Sequence, residues 1–286
     1  MLIVASNSSI GLARKLSDIL GARLSGCSTK RFPDGELYVR IESDLKGQDV
    51  IVVGNTRSDS DILETLFLIN SSKENGASSV KLVIPYYGYA RQHMIYKPGE
   101  SVSSRAVLKT MENWADEIIC VEIHDKATVG FASKPFTNVE VIDSLGDFFK
   151  DRKIDIVISP DDGGFSRAEK LAERIGSRAL YIEKKRIDSR TVQMSLPEDD
   201  YSGKNILLVD DIISTGGTII KAIGLLKSKS AGRIYVTAIH GVFASGSQSQ
   251  ISAVSDGLWV TDTIDGEFSS ISVASDLAKV LDRCIK

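Results

Sequence analysis

The chain has 286 residues, of which 42% are hydrophobic and 26% are charged. These proportions exclude collagen-like, disordered and membrane-spanning proteins, and the length corresponds to about two domains of ordinary size. The 35 basic and 38 acidic residues leave a net charge of −3, which argues against sequence-independent binding of nucleic acid. No apolar stretch approaches the roughly 18 residues that cross a bilayer, and no secretory signal is recognisable. We therefore expect a cytoplasmic protein with neither a nucleic-acid nor a membrane partner.

Short apolar runs alternate with amphipathic stretches along almost the whole chain. This alternation is typical of α/β proteins with parallel sheets, and the continuous apolarity of the runs indicates burial on both faces. The spacing of apolar residues predicts helices over residues 10–20, 62–75 and 218–229. The predicted strands, in chain order, are residues 2–5, 50–54, 80–85, 117–123, 154–160, 206–210, 233–240 and 257–263.

A weak internal repeat favours two related domains. The apolar run at residues 50–53, with Ser58 after it, aligns at a constant offset with the run at residues 206–209 and with Ser214. Two copies of one α/β unit would produce this pattern, although any two buried strands followed by a polar turn look alike. The last helix is able to pack on the first domain. The predicted domains are residues 1–142 and 143–286.

One segment, residues 207–218, carries the clearest chemical signal. An apolar strand ends in two carboxylates, and hydroxyls and glycines then lead into a helix. Unpaired N–H groups and the helix dipole favour a phosphate there, and glycine allows the anion to approach the backbone. The carboxylates suit ribose hydroxyls or a bridging magnesium ion, unless they merely cap the turn. The predicted sugar-phosphate residues are Asp210, Asp211, Ser214, Thr215, Gly216, Gly217 and Thr218.

This segment resembles the phosphoribosyl-binding loop of type I phosphoribosyltransferases and ribose-phosphate pyrophosphokinases. The pyrophosphokinase motifs also occur, in the family's order, at residues 32–36, 86–92, 121–124 and 159–164. Simple phosphoribosyltransferases lack the amino-terminal half that carries the first two of these motifs. The resemblance implies two related phosphoribosyltransferase-like domains, each a mainly parallel sheet flanked by helices. It also implies transfer of the β,γ-diphosphoryl group of ATP to the anomeric hydroxyl of ribose 5-phosphate, giving AMP and phosphoribosyl pyrophosphate for nucleotide biosynthesis.

ATP must be held without a P-loop, because no Gly-x-x-x-x-Gly-Lys-Ser/Thr segment is present. Taken alone, residues 33–35 form a turn and Arg91 is a solvated side chain. The resemblance instead implies that the segment at 32–36 reaches the ATP site of a neighbouring subunit, and hence that the protein is at least a dimer. The ATP-binding residues that it implies are Phe32, Asp34, Gly35, Glu36, Arg91 and Gln92.

Two residues are candidate ligands of Mg²⁺. His124 and Asp161 each follow an apolar strand, and side chains at the carboxyl edge of a parallel sheet commonly bind ligands. A lone histidine at a strand end is more often structural, but the resemblance implies that both residues bind Mg²⁺, with ATP oxygens and water completing the shell.

Lys184 and Arg186 lie in a charge run, and such runs are usually solvated. A loop that carries them could stabilise negative charge as it develops on the transferring group. The resemblance implies that these two residues are catalytic.

Two positions depart from the family pattern. His93 and Met94 stand where most members have an acidic and then a basic residue, and Asp162 stands where alanine is frequent. A type I phosphoribosyltransferase and a non-catalytic regulatory homologue remain alternative functions. Formation of AMP from ATP and ribose 5-phosphate distinguishes all three.

Overall fold

The computed structural model describes residues 1–186 and 192–283, which form two compact units. The first unit comprises Met1–Glu140, Thr263–Asp265 and the described residues from Ser272 onward, and the second comprises Val141–Asp262 and Gly266–Ile271. Within these described ranges, every helix is too short or too polar to cross a lipid bilayer.

The first unit is built around a parallel sheet of six strands in its described residues, with the order β2-β1-β5-β6-β7-β8. An antiparallel hairpin of β3 and β4 lies between β2 and β5 in the chain. The strands are β1 (Leu2–Ala5), β2 (Arg23–Leu24), β3 (Cys27–Arg31), β4 (Leu37–Ile41), β5 (Asp49–Val53), β6 (Ser79–Ile84), β7 (Glu117–Val121) and β8 (Phe136–Val139). The helices are α1 (Ile10–Leu20), α2 (Asp59–Glu74) and α3 (Ser103–Met111).

The second unit repeats this plan among the residues described, with a six-stranded parallel sheet of order β10-β9-β13-β14-β15-β16. Its antiparallel hairpin, β11 and β12, lies between β10 and β13 in the chain. The helices are α4 (Ile142–Phe149), α5 (Phe165–Ile175), α6 (Gly217–Ser228) and α7 (Ser247–Val254). The strands are β9 (Ile156–Ser159), β10 (Arg178–Tyr181), β11 (Glu183–Arg186), β12 (Val192–Ser195), β13 (Ile206–Ile213), β14 (Ile234–Gly241), β15 (Gly257–Thr261) and β16 (Ser269–Ile271).

The strand register confirms the predicted duplication. In the first sheet Val50 lies between Leu2 and Val80, and in the second sheet the equivalent Ile206 lies between Ile156 and Ile234. The equivalent helices α1 and α5 both end at a left-handed glycine, with φ of 59° and 72°. The predicted α/β class, with two related domains that each contain a parallel sheet, is therefore confirmed.

The final helices of the two copies are exchanged. α4 follows β8, the last strand of the first sheet, yet it packs against α5 in the second unit. The equivalent helix α8 (Ala274–Arg283) follows β16 and packs against α1 in the first unit. Leu277 and Leu281 of α8 are fully buried there. Each unit thus buries a helix that the other half of the chain supplies.

Candidate active site

The predicted sugar-phosphate segment joins β13 to α6 at the carboxyl edge of the second sheet. We predicted that the strand ends at residue 210, which is wrong: it continues to Ile213, because Ile212 and Ile213 pair with the end of β14. Pairing with β9 on the other side stops at Leu208. Asp210 and Asp211 therefore lie on a stretch of strand that is paired along one side only, and both residues are largely but not completely buried.

The start of α6 is open. Its N-cap, Gly216, has a left-handed φ of 73°, and an added Cβ would lie 3.0 Å from Cδ1 of Ile251, so glycine suits both the backbone and the packing. No side chain of the described residues caps this end. A Cβ at Gly217 would meet no atom within 4 Å, so the first residue of the helix borders open space.

The equivalent helix of the first unit shows the contrast. The N-terminus of α2 is closed by a capping box, in which Ser58 and Asp61 satisfy each other's backbone N–H groups. Because α2 and α6 occupy the same place in the two copies, the difference lies in the loop sequence. A phosphate is favoured at the start of α6 and disfavoured at the self-capped, acidic start of α2.

Asp161 lies in the turn between β9 and α5, at the same sheet edge. Its Oδ1 accepts a hydrogen bond from the backbone N–H of Gly164 at 3.2 Å, and the hydroxyl of Ser159 donates to its carbonyl at 2.7 Å. A Cβ at Gly164 would lie 2.3 Å from Oγ of Ser159, so this tight turn requires glycine. The other carboxylate oxygen, Oδ2, lies 2.7 Å from Nζ of Lys184.

Lys184 is therefore not simply solvated. It lies on β11, opposite Met194 in the hairpin, and its ammonium group reaches back to the Asp161 turn. The structure thus brings Asp161 and Lys184 together. The side chain of Arg186, the second predicted catalytic residue, lies outside what the structure describes.

Three carboxylates act on one another at this edge. Burial raises the pKa of Asp210 well above its ordinary value, and the negative charges of Asp211 and Asp161 raise it further. A cation placed here would relieve that repulsion, and carboxylate oxygens are the ligands that Mg²⁺ prefers. Across the described residues, no three His, Cys, Asp or Glu side chains are arranged as a complete metal site. These carboxylates supply only part of the ligand shell that Mg²⁺ needs. In this structure the cation that pairs with Asp161 is the ammonium group of Lys184.

The predicted ATP motif at residues 86–92 follows β6 at the carboxyl edge of the first sheet. Tyr87 is buried and donates its hydroxyl to the carbonyl of Ser104 at 2.7 Å, whereas Arg91 is exposed. Among the described residues, no ion pair or hydrogen bond engages the guanidinium of Arg91. Gln92 accepts a hydrogen bond on Oε1 from Ser103 at 3.3 Å. Buried Tyr87 therefore fixes the start of the motif, and the positively charged side chain of Arg91 is available to a ligand.

His124 follows β7, the strand adjacent to β6, and is exposed at the same edge. It belongs to the first unit and Asp161 to the second, so their joint binding of one metal ion stays a prediction. Sequence reasoning did not find the contact beside His124, in which Nε2 of His93 lies 3.1 Å from Oδ2 of Asp125. This contact links the ATP motif to the His124 turn, and its only signal in the sequence is the departure from the family pattern at His93.

The segment at residues 32–36 is the tip of the β3–β4 hairpin, and all five of its residues are exposed. The turn is closed by hydrogen bonds between Phe32 and Glu36 and between Gly35 and Phe32, each 2.9 Å long. Asp34 accepts from the backbone N–H of Glu36 at 3.2 Å. Phe32 contacts Tyr38 edge-on, yet 42% of its surface is exposed. The hairpin therefore presents an aromatic ring and two carboxylates outward.

Comparison with known proteins covers both units. Residues 1–114 match the family model of the N-terminal domain of ribose phosphate pyrophosphokinase, and residues 140–275 match that of the phosphoribosyl transferase domain. The ribose-phosphate pyrophosphokinases of Thermoplasma acidophilum and Pyrococcus furiosus are 45% and 40% identical to the chain. Those alignments cover 96% of both chains for the first, and 91% of this chain and 94% of the relative for the second.

A solved structure agrees along the whole chain. Phosphoribosylpyrophosphate synthetase from Mycobacterium smegmatis superposes with a TM-score of 0.86 at 25% identity, covering 99% of this chain and 98% of that one. The resemblance drawn from the sequence motifs is confirmed, and the amino-terminal half that simple phosphoribosyltransferases lack is present. The chain therefore belongs to the ribose-phosphate pyrophosphokinase family of enzymes.

Proposed function

We propose that this protein is a Mg²⁺-dependent ribose-phosphate pyrophosphokinase that makes phosphoribosyl pyrophosphate and AMP for nucleotide biosynthesis. The anomeric hydroxyl oxygen of ribose 5-phosphate attacks the β-phosphorus of ATP and releases its proton to water, while the bond between that phosphorus and the α,β-bridging oxygen breaks. AMP leaves with the bridging oxygen. Family membership over nearly the full length of both chains supports this reaction.

The observation that carries the proposal is the open start of α6 beside two carboxylates. The 5-phosphate would accept hydrogen bonds from the first-turn amides and from the hydroxyls of Ser214, Thr215 and Thr218, with Gly216 and Gly217 allowing close approach. Asp210 and Asp211 would accept hydrogen bonds from the ribose hydroxyls. In the first unit, the self-capped α2 offers no such site.

Lys184 would stabilise the negative charge that develops on the transferring diphosphoryl group, and Arg186 would share this role. The ammonium group of Lys184 already lies at the sheet edge that carries the sugar-phosphate loop, because it pairs with Asp161. A flexible side chain on a two-stranded hairpin can move from that carboxylate to a substrate oxygen.

Asp161 and His124 would be the protein ligands of Mg²⁺. When bound, the ion would neutralise phosphate oxygens of ATP and so assist the transfer. Asp161 offers Oδ2, the oxygen now paired with Lys184, while its Oδ1 is held by the Gly164 amide.

ATP would be bound by residues of the first unit, and by a second subunit. Arg91 would contact the phosphates, with Gln92 beside it. The exposed tip of the β3–β4 hairpin would place Phe32 against the adenine of ATP in a neighbouring subunit, with Gly35 (φ 94°) setting the turn. Asp34 and Glu36 would engage the edge of that adenine or the ribose. The protein would then be at least a homodimer.

Product analysis tests this function. The purified protein is incubated with Mg²⁺, ATP and ribose 5-phosphate, and nucleotides are separated by chromatography. We expect AMP to form only when all three are present, and the Lys184→Ala variant measures any contaminating activity. A type I phosphoribosyltransferase or a non-catalytic homologue would form no AMP, so its absence over a range of Mg²⁺ and phosphate concentrations would contradict the proposal.

A further inference from the structure

In the second unit, one edge of the sheet carries the proposed sugar-binding carboxylates. The equivalent edge of the first unit has a different role. Counting from the equivalent Val50 and Ile206, Gly54 stands in place of Asp210 and Asn55 in place of Asp211. A Cβ at Gly54 would lie 2.3 Å from Oγ1 of Thr65 on α2, so no side chain fits at this position. The carboxylate pair is therefore excluded from the first copy by its packing.

Asn55 connects three parts of the first unit. Its side chain is buried, with Oδ1 accepting a hydrogen bond from the backbone N–H of Tyr86 at 2.7 Å and Nδ2 donating to the carbonyl of Thr263 at 3.1 Å. Its own carbonyl accepts from the hydroxyl of Thr65 at 3.0 Å. An ionised aspartate has no donor for Thr263, so this position requires one acceptor and one donor on the same side chain.

Thr56 holds the next part of the ATP motif. It is completely buried, and its hydroxyl oxygen accepts from the backbone N–H of Gly88 at 2.9 Å, while its own N–H donates to the carbonyl of Tyr86 at 3.2 Å. A Cβ at Gly88 would lie only 2.1 Å from the carbonyl oxygen of Thr56, so the two backbones are in direct contact. Asn55 and Thr56 together fix the path of residues 86–88.

The segment that follows depends on this fixed path. Tyr89 has a left-handed φ of 64°, and Gln92 donates its backbone N–H to the carbonyl of Tyr89 at 3.0 Å, which closes the turn that carries Arg91. A left-handed tyrosine is unfavourable unless its surroundings hold it. The hydrogen bonds to Tyr86 and Gly88 hold the chain immediately before it.

We propose that Asn55 and Thr56 are positioning residues for ATP, acting through Tyr86 and Gly88 on the turn that carries Arg91. This inference rests on the proposed function, in which Arg91 contacts ATP. The sheet edge that carries the proposed sugar-binding carboxylates in the second unit thus carries, in the first unit, polar residues that hold the nucleotide-binding segment in place.

Thr56→Val tests the proposal, because valine has nearly the same shape and lacks only the hydroxyl. The variant leaves the buried N–H of Gly88 without its acceptor, and we expect KM for ATP to rise about tenfold. KM for ribose 5-phosphate and kcat should change by less than about threefold, since the second unit is unaltered. Thr56→Ser restores the hydroxyl and should return KM for ATP to near the wild-type value.

Ser72→Ala is the matched control. It also removes a fully buried hydroxyl, which donates to the carbonyl of Leu68 at 2.8 Å within α2 and does not contact the ATP motif. We expect its KM for ATP to be unchanged. If Thr56→Val does not fold, Thr56→Ala also removes the acceptor of the Gly88 N–H and should likewise raise KM for ATP selectively.

Arg91→Ala separates failure of this inference from failure of the proposed function. If Arg91→Ala leaves KM for ATP unchanged, the assignment of the ATP site is wrong, and the positioning role of Asn55 and Thr56 is overturned as well. If Arg91→Ala raises KM for ATP while a folded Thr56→Val or Thr56→Ala does not, only the positioning role is overturned. Equal rises in both KM values, or no rescue by Thr56→Ser, would likewise overturn it, because they indicate general loosening of the fold.

Discussion

Replacing Lys184 with alanine is expected to slow catalysis and, at the same time, to strengthen the binding of a divalent cation. Nζ of Lys184 lies 2.7 Å from Oδ2 of Asp161, the oxygen that we assign to Mg²⁺. An ammonium group and a metal ion cannot both occupy this oxygen at close range. Removing the ammonium therefore removes a competitor of the metal, as well as a group that stabilises the transition state.

The two effects differ in size. The Lys184 and Asp161 side chains are 29% and 38% exposed, so the pair is partly solvated and is worth about 0.5–1 kcal/mol. That energy corresponds to about two- to fivefold tighter metal binding. Loss of a charge that acts mainly in the transition state should lower kcat by about 10²–10⁴ and leave KM for ribose 5-phosphate little changed.

Electron paramagnetic resonance of bound Mn²⁺ measures the first effect without turnover, and steady-state kinetics measures the second. Lys150→Ala is the control, since it removes a more exposed ion pair of the same unit, with Nζ 3.8 Å from Asp147. Asp161→Asn should weaken Mn²⁺ binding. Weaker Mn²⁺ binding in Lys184→Ala would refute the competition, and a near-normal kcat would refute the catalytic role of Lys184.

Three further substitutions test the sugar-phosphate site, the carboxylates beside it and the packing of α8. Gly217→Asp places a carboxylate in open space at the start of α6 and should raise KM for ribose 5-phosphate at least tenfold in kinetic assays, with Gly217→Ala much less affected. The pKa of Asp210 is raised in the folded state, so its stabilising contribution is lost as the pH rises. Asp210→Asn should therefore increase Tm of the ligand-free protein more at pH 8 than at pH 4. An equal increase at both pH values would contradict this. Leu277→Ala, in the fully buried face of α8, should cost about 2–4 kcal/mol in urea unfolding, and a cost below about 0.5 kcal/mol would argue against exchange of the final helices.

Much of the fold could be predicted from sequence because its central strands are continuous apolar runs. The alignment of Val50 with Ile206 correctly identified equivalent strands, since burial on both faces leaves the same apolar pattern in each copy. The edge strands β2, β8 and β16 and both hairpins were not predicted. In the β3–β4 hairpin, for example, β3 is polar and both strands are only partly buried, so the pair carries little periodic signal.

The individual motifs were predictable, but their mutual contacts were not. The Gly-rich loop at the start of α6 has a local sequence signature, and the structure places it as expected. The Lys184–Asp161 ion pair joins residues from different segments, and nothing in either segment specifies the other. The roles of Asn55 and Thr56 depend on contact with the turn after β6, which becomes visible only once β5 and β6 are known to be neighbours.

The fate of the phosphates in a single reaction shows whether the protein transfers a diphosphoryl group from ATP to ribose 5-phosphate. ³¹P nuclear magnetic resonance of the wild-type protein with Mg²⁺, ATP and ribose 5-phosphate follows every phosphorus atom at once. We expect the ATP signals to be replaced by those of AMP and of a diphosphate attached to the anomeric carbon, in equal amounts. Formation of ADP with a singly phosphorylated anomeric carbon, or an unchanged spectrum, would contradict it.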